Sequence, residues 1–387
     1  MSPQRLEFHP LTFVEEHDGI TVGRPDAESY ATLPEDGAAL LRRLSEGMPV
    51  PDAADWYRAE FGESIDMEDF VAALHELRFI REDGESPAVR REVRFQRLGR
   101  AVFSPLAWSA YAALVVAALA VLVLLPALRP HADHVFFTSS LVAVQIVLTL
   151  SQVPAILLHE SFHVLAGRRL GLPSRLSVGR RLYFLVVQTE LDGLLSVPRR
   201  RRYLPFLAGM LADVLLFSLL TVTAALTGPN LVGRLGLAVA YLIVLRLAWQ
   251  FYVFLRTDLY FVFTTALGCT NLHEATTAWL RGKFSRLPGV RESTSDDEDW
   301  SPRDRRVAPW FALISVAGVA FLLVTLAVAV VPVVAGFAVR TWTALTQGTS
   351  GGAGFWDSAV SVLLIVVQVV LLVVVSRRDR TSRKEAA

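Results

Sequence analysis

The chain has 387 residues, of which 53% are hydrophobic and only 19% charged, against roughly 25% charged in a soluble domain. Uncharged runs such as Ala101–Leu128 and Val307–Val339 exceed the about 20 apolar residues that a bilayer crossing takes, and together with a mean hydropathy of +0.42 they exclude an ordinary soluble globular protein. The net charge of +1 hides an acidic front: up to Asp83 there are seven arginines, no lysine and 19 acids, a balance of −12 that leaves +13 for the rest.

The front reads as a small α+β module. Thr12–Glu15, Ile20–Val22 and Ser29–Leu33 have strand composition, with His17-Asp18-Gly19 as a hairpin turn signal. Pro34-Glu35-Asp36-Gly37 opens a helix that carries Ala38, Leu40, Leu41 and Leu44 and closes at Gly47. Pro51–Phe61 and Asp66–Leu77 are two further amphipathic stretches. Met1 to Gly23 is mixed and acidic, unlike a signal peptide, so the module is expected in the cytosol. Strands followed by three helices suggest a winged-helix-like domain over residues 1–87, yet a balance of −12 repels nucleic acid phosphate. The segment Glu28–Leu44 and the closing helix up to Phe79-Ile80 resemble the PqqD-like domains that recruit precursor peptides of ribosomally made natural products. That resemblance implies a peptide partner and no nucleic acid. The bland alternative is a regulatory or purely structural domain, because fold alone does not fix function.

A basic juxtamembrane segment, 88–104, leads to the membrane part. Six membrane helices are expected at Leu106–Leu125, Ser139–Leu165, Leu204–Leu226, Leu235–Leu255, Phe311–Phe337 and Phe355–Val375. The basic residues fall on alternate sides. Arg90, Arg91, Arg94, Arg97 and Arg100 precede the first helix, and Arg168, Arg169, Arg175, Arg180, Arg181 and Arg199 to Arg202 lie between the second and third. Lys283, Arg303, Arg305 and Arg306 precede the fifth, and Arg377, Arg378, Arg380, Arg383 and Lys384 follow the sixth. The other loops are poor in base. With six crossings, every basic segment then lies in the cytosol, with both termini, in a multi-pass cell-membrane protein. The single cysteine, Cys269, excludes an internal disulfide framework and agrees with a reducing compartment. Trp108, Trp310, Trp342 and Trp356 fall near helix ends, as interfacial anchors do. Residues 276–309 read as a cytosolic linker, acidic at Asp296-Asp297-Glu298-Asp299, followed by two C-terminal membrane helices over 310–376 and a basic tail, 377–387.

His159-Glu160-Ser161-Phe162-His163 is H-E-x-x-H at the end of the second helix. Residues four apart on a helix are about 40° apart around the axis and one turn apart along it. Both imidazoles can therefore grip one Zn²⁺, with Glu160 beside them as the general base. Burying three such groups after the uncharged run Val135–Leu158 is costly without a function. The competing reading is a hydrogen-bonded cluster at a helix end.

H-E-x-x-H in a membrane helix, continued by Val164-Leu165-Ala166-Gly167, resembles the site-2 protease family of intramembrane zinc metalloproteases; the resemblance spans about Leu141 to Leu272 and implies a membrane core over 105–275. The family's Ala-Gly-Pro block with its Asn matches Ala208-Gly209-Met210-Leu211-Ala212-Asp213, with Met for Pro and Asp for Asn. The resemblance implies one zinc per chain held by His159, His163 and a third, acidic ligand, with Asp213 positioning substrate.

Glu190, Asp192, Asp213 and Asp258 are candidates for that ligand. Leu191-Asp192-Gly193 has the family's literal Leu-Asp-Gly wording but precedes the Ala-Gly block, in an Arg-rich connection, and reads more simply as a turn. Asp213 shares the membrane interior with Arg246, and an ion pair would lower the cost of both. Asp258, in Arg256-Thr257-Asp258-Leu259, comes at the cytosolic end of the fourth helix, at the depth of His159, although it lacks the family's following Gly. Asp258 is favoured, the others remaining open. The resemblance implies a zinc metalloendopeptidase that cuts near the cytosolic face, with Leu182–Leu191 as an edge strand for the unwound substrate. The substrate would be a precursor peptide recruited by the front module. Alternatives are a regulatory protease that cuts an anti-sigma factor or other membrane protein, and a non-catalytic receptor, immunity or export factor on the same scaffold. Membrane lipid is the remaining partner, and the sequence does not set the oligomeric state.

Overall fold

The structure, a computed structural model, describes residues 5–16, 19–82, 84–85, 93–181, 184–284 and 300–385. The expected turn at His17-Asp18, the bases Arg90 and Arg91, Leu182 and the acidic run 296–299 lie outside them. The chain divides into two compact units: Met1–Val102 with Val164–Arg175 and Glu190–Pro205, and Phe103–His163 with Leu176–Thr189 and Phe206–Ala387.

The first unit opens with an antiparallel meander of β1 (Thr12–Glu16), β2 (Gly19–Arg24) and β3 (Ser29–Leu33), in the order β1-β2-β3. Register is fixed by pairs such as Val14 with Thr21 and Val22 with Ala31, because a one-residue slip would turn Val22 away from the core. Three helices follow: α1 (Glu35–Ser45), α2 (Val50–Phe61) and α3 (Met67–Glu76). The Asp66 carboxylate caps α3 by accepting from the amides of Glu68 and Asp69, and Gly62 ends α2 in the left-handed region. Val22, Ala38, Leu41, Leu74, Phe79 and Ile80 form one apolar core, and Leu40, Leu44, Ala53 and Tyr57 a second beside it. The order of strands and helices is the expected one.

Part of the basic juxtamembrane segment is helical, as α4 (Gln96–Val102). Within the same unit the turn Asp192-Gly193 and the segment after it meet the sheet. Ser196 accepts from Thr12 and donates to Tyr30, and Arg202 pairs with Glu16. Gly193 sits at φ +79°, which suits glycine, so Leu191-Asp192-Gly193 is indeed a turn.

The second unit is mainly helical, and four of its elements extend into the first: α5 (Pro105–Leu124), α6 (Leu141–Arg169, its end in the first unit), the hairpin strands β4 (Ser174–Arg181) and β5 (Phe184–Leu191), whose outer ends lie in the first unit, α7 (Arg199–Thr227, its start in the first unit), α8 (Leu231–Trp249), α9 (Asp258–Leu267), α10 (Leu272–Phe284), α11 (Pro302–Thr325), α12 (Val331–Thr346) and α13 (Ala353–Glu385). Six helices are long and apolar enough to cross a membrane: α5, α6, α7, α8, the continuous stretch Pro302–Thr346 and Ala353–Ser376. Large apolar side chains such as Leu106, Val123, Val328 and Leu363 are exposed, a surface that suits lipid and not water. Inside, Val144, Leu148 and Ala155 of α6 pack with Ala238, Val239 and Ile243 of α8.

Three expectations change here. Pro302–Arg306 is the start of α11, capped by Ser301, where a linker is expected. A π-helical turn, Leu326–Val330, joins α11 to α12; Pro332 cannot donate to the carbonyl four residues back, which loosens the ladder there. The fourth long helix ends at Trp249, so Asp258 starts a separate short helix and does not end the fourth.

Candidate metal centre

His159 and His163 lie one turn apart on α6 and are both buried. Their Nε2 atoms stand 3.2 Å apart. Asp258 Oδ2 stands 3.3 Å from each of them. Residues 250–257 deliver that carboxylate. After Trp249 the chain makes a 3₁₀ turn over Val253–Leu255, and Arg256 takes a left-handed conformation at φ 56°. That is the strained role a glycine often fills. Gln250 clamps the excursion: its carbonyl accepts from the Thr257 hydroxyl at 2.7 Å, and its side-chain Oε1 accepts from the Asp258 amide at 3.1 Å. Asp258 is therefore held from behind while its carboxylate faces the imidazoles.

The donor set fits a zinc ion. Three ligands at about 2.0–2.1 Å from a tetrahedral centre stand about 3.3 Å from one another, and the observed sides are 3.2, 3.3 and 3.3 Å. Asp258 Oδ2 is buried and faces both imidazole nitrogens, an arrangement that a cation shared by the three groups would satisfy. Among the described residues this is the one cluster of three or more His, Cys, Asp or Glu side chains able to hold a metal ion together.

The Ala-Gly block has a steric part in it. On α7, Ala208 and Ala212 are fully buried, and Gly209 lies against the imidazoles. A Cβ there would stand 2.2 Å from His163 Nε2 and 2.4 Å from His159 Nε2. Only glycine leaves room for both rings and for what they bind.

Glu160 is partly exposed beside the histidines. Thr189 of β5 donates to its Oε2 at 2.8 Å, with the Glu160 carbonyl 3.0 Å away as a second acceptor. Asp213 stands behind His159: its Oδ2 lies 3.0 Å from His159 Nδ1, and Arg246 holds both its oxygens through Nε, at 3.0 Å from Oδ2, and Nη2. The expected ion pair of Asp213 with Arg246 is thus present.

The structure brings together His159, His163 and Asp258, with Asp213 in contact with His159; Glu160 follows His159 on the same helix and is held by Thr189. It does not bring in Glu190, which pairs with Arg175 at 2.7 Å, or Asp192, which lies in its turn. Sequence reasoning missed Gln250, Thr257 and Thr189. Gln250, a polar residue in an apolar stretch, was the available signal; the two threonines gave none. No family model, curated protein or solved structure matches the chain.

Proposed function

We propose that the protein is a membrane-embedded zinc peptidase that hydrolyses a peptide bond near the cytosolic face. The observation that carries this reading is the His159–His163–Asp258 triangle, spaced for a tetrahedral metal, with Glu160 next to it on a membrane-length helix. A zinc ion held there would polarise a scissile carbonyl and lower the pKa of its water toward about 7. Glu160 then takes the proton from the attacking water and hands it to the leaving amine. Thr189 holds Oε2 of Glu160 and so fixes the carboxylate's direction. The same contact brings β5 past the general base, which supports β5 as the edge to which an unwound substrate adds. Loops alternate between basic and base-poor, which supports cytosolic termini.

The substrate in this reading is a precursor peptide recruited by the front module. Its three-stranded sheet leaves β3 as an edge strand, and its −12 balance disfavours nucleic acid. The winged-helix-like and PqqD-like readings of that module belong to the same proposal. The test is mass spectrometry of candidate precursor peptides incubated with the full chain and with Glu160→Ala. Cleavage by the first alone supports the reading. Identical cleavage by both, or by neither across the candidate precursors, speaks for one of the non-processing alternatives.

A further inference from the structure

An imidazole has two ring nitrogens on opposite edges, and at His159 they face different partners. Nε2 faces His163 and Asp258, while Nδ1 faces Asp213 at 3.0 Å. Asp213 is 1% exposed, so neither water nor a substrate has ready access to it. Its two oxygens are taken by His159 and by the fork of Arg246. Asp213 comes from α7, Arg246 from α8 and His159 from α6, so three membrane-length helices meet at this one carboxylate.

A carboxylate can only accept, so Nδ1 of His159 must carry the proton that it shares with Asp213. In the neutral ring the lone pair then lies on Nε2, the atom turned to the cluster. Arg246 has a separate part. A lone carboxylate among apolar helices is costly, and a two-point guanidinium contact offsets that cost while fixing the oxygens in place.

We propose that Asp213, held by Arg246, is a positioning residue: it fixes the tautomer and ring orientation of His159 for metal binding, and does not meet the substrate. The proposal rests on the zinc reading. The competing account makes Asp213–Arg246 a structural ion pair that ties α7 to α8, for which the contact to His159 is incidental.

The test separates the two by swapping the acceptor alone. The Asp213→Asn and Asp213→Leu side chains share one branched skeleton of four heavy atoms, and each is made together with Arg246→Met so that no buried charge is left unpaired. Zinc affinity of the full chain in detergent is measured by competition with a chelator, and thermal unfolding of the metal-free variants reports the fold. Asn keeps an oxygen that accepts from Nδ1–H and Leu does not. The Leu variant is expected to bind zinc about 10–100-fold more weakly than the Asn variant, the usual effect of losing such a partner, at matched unfolding temperatures. Equal affinities in the two variants would leave the structural ion pair as the account. Where the variants do not fold, ¹⁵N resonances of the His159 ring in the unsubstituted, metal-free chain decide the matter: a protonated Nδ1 is expected, and a protonated Nε2 with bare Nδ1 overturns the proposal. An unsubstituted chain that takes up no zinc would overturn the metal reading and this proposal with it, whereas zinc uptake with equal Asn and Leu variants overturns the proposal alone.

Discussion

Gly209→Ala adds one methyl group to the wall of the cluster. The new Cβ would stand 2.2 Å from His163 Nε2, 2.4 Å from His159 Nε2 and 2.6 Å from His159 Cε1. Ordinary carbon contacts begin near about 3.5 Å, so both rings must retreat by about 1 Å or α7 must move away. The rings are the easier to displace, since α7 is anchored nearby through Asp213 and Arg246. Metal sites tolerate distance errors of about 0.2 Å, and a misplacement of about 1 Å in a catalytic geometry can cost about 10²-fold. The fold is expected to bear the change far better. Alanine is favoured over glycine in a helix by about 1 kcal/mol, against an overpacking cost of about 1–3 kcal/mol. The expectation is therefore a chain that unfolds within about 2 kcal/mol of the unsubstituted one yet binds zinc at least about 10²-fold more weakly. Gly236→Ala is the control, because its Cβ would meet only the Leu220 carbonyl, at 3.4 Å. Chelator competition and thermal unfolding on the purified full chain read both quantities. Unaltered zinc affinity in Gly209→Ala would refute the reasoning, since the metal could not then sit between these rings.

Three further outcomes are expected. Glu160→Gln keeps size and hydrogen bonding but not basicity, so it should retain zinc while peptide cleavage falls at least about 10²-fold; near-normal cleavage by the zinc-loaded variant would remove Glu160 as the base. The isolated front module, residues 1–87, should show no salt-sensitive binding to duplex DNA by fluorescence anisotropy, given its −12 balance up to Asp83; micromolar binding that weakens with salt would contradict that. The Glu28 carboxyl shares a hydrogen bond with Asp192 and is partly desolvated, which raises it above its ordinary 4.5. A raised carboxyl strengthens the folded contact below that ordinary value and loses the contribution as pH climbs through the folded value. Proteolytic protection of the 190–205 segment should therefore weaken as pH rises toward neutral, and Glu28→Gln, always neutral, should abolish that trend.

Local periodicity carried much of this structure in plain view. The spacing of His159 and His163 follows from one helical turn, and an apolar run of membrane length leaves the chain few other options. In the front module, strand composition, the opening at Pro34 and the close at Gly47 marked the three strands and the first helix nearly to the residue. What was hidden came from tertiary contacts. The run Trp249 to Leu255 has no proline or glycine to announce a break, yet the helix stops there because Gln250 turns back to hold Thr257 and Asp258. For the same reason the sequence could place Asp258 just past the fourth long helix but not at the head of its own helix. Helices that are apolar all round do not reveal which face meets a neighbour, so the contacts of Asp213 to His159 and of Thr189 to Glu160 emerged only from the fold.

The central claim is that His159, His163 and Asp258 together hold one metal ion. Zinc content of the purified full chain, measured by mass spectrometry of the metal beside its alanine variants, tests this most directly. The account predicts one zinc per chain, loss in His159→Ala and His163→Ala, strong depletion in Asp258→Ala and full content in Asp192→Ala, whose carboxylate lies in a turn. Full zinc in Asp258→Ala together with loss in Asp192→Ala would contradict it.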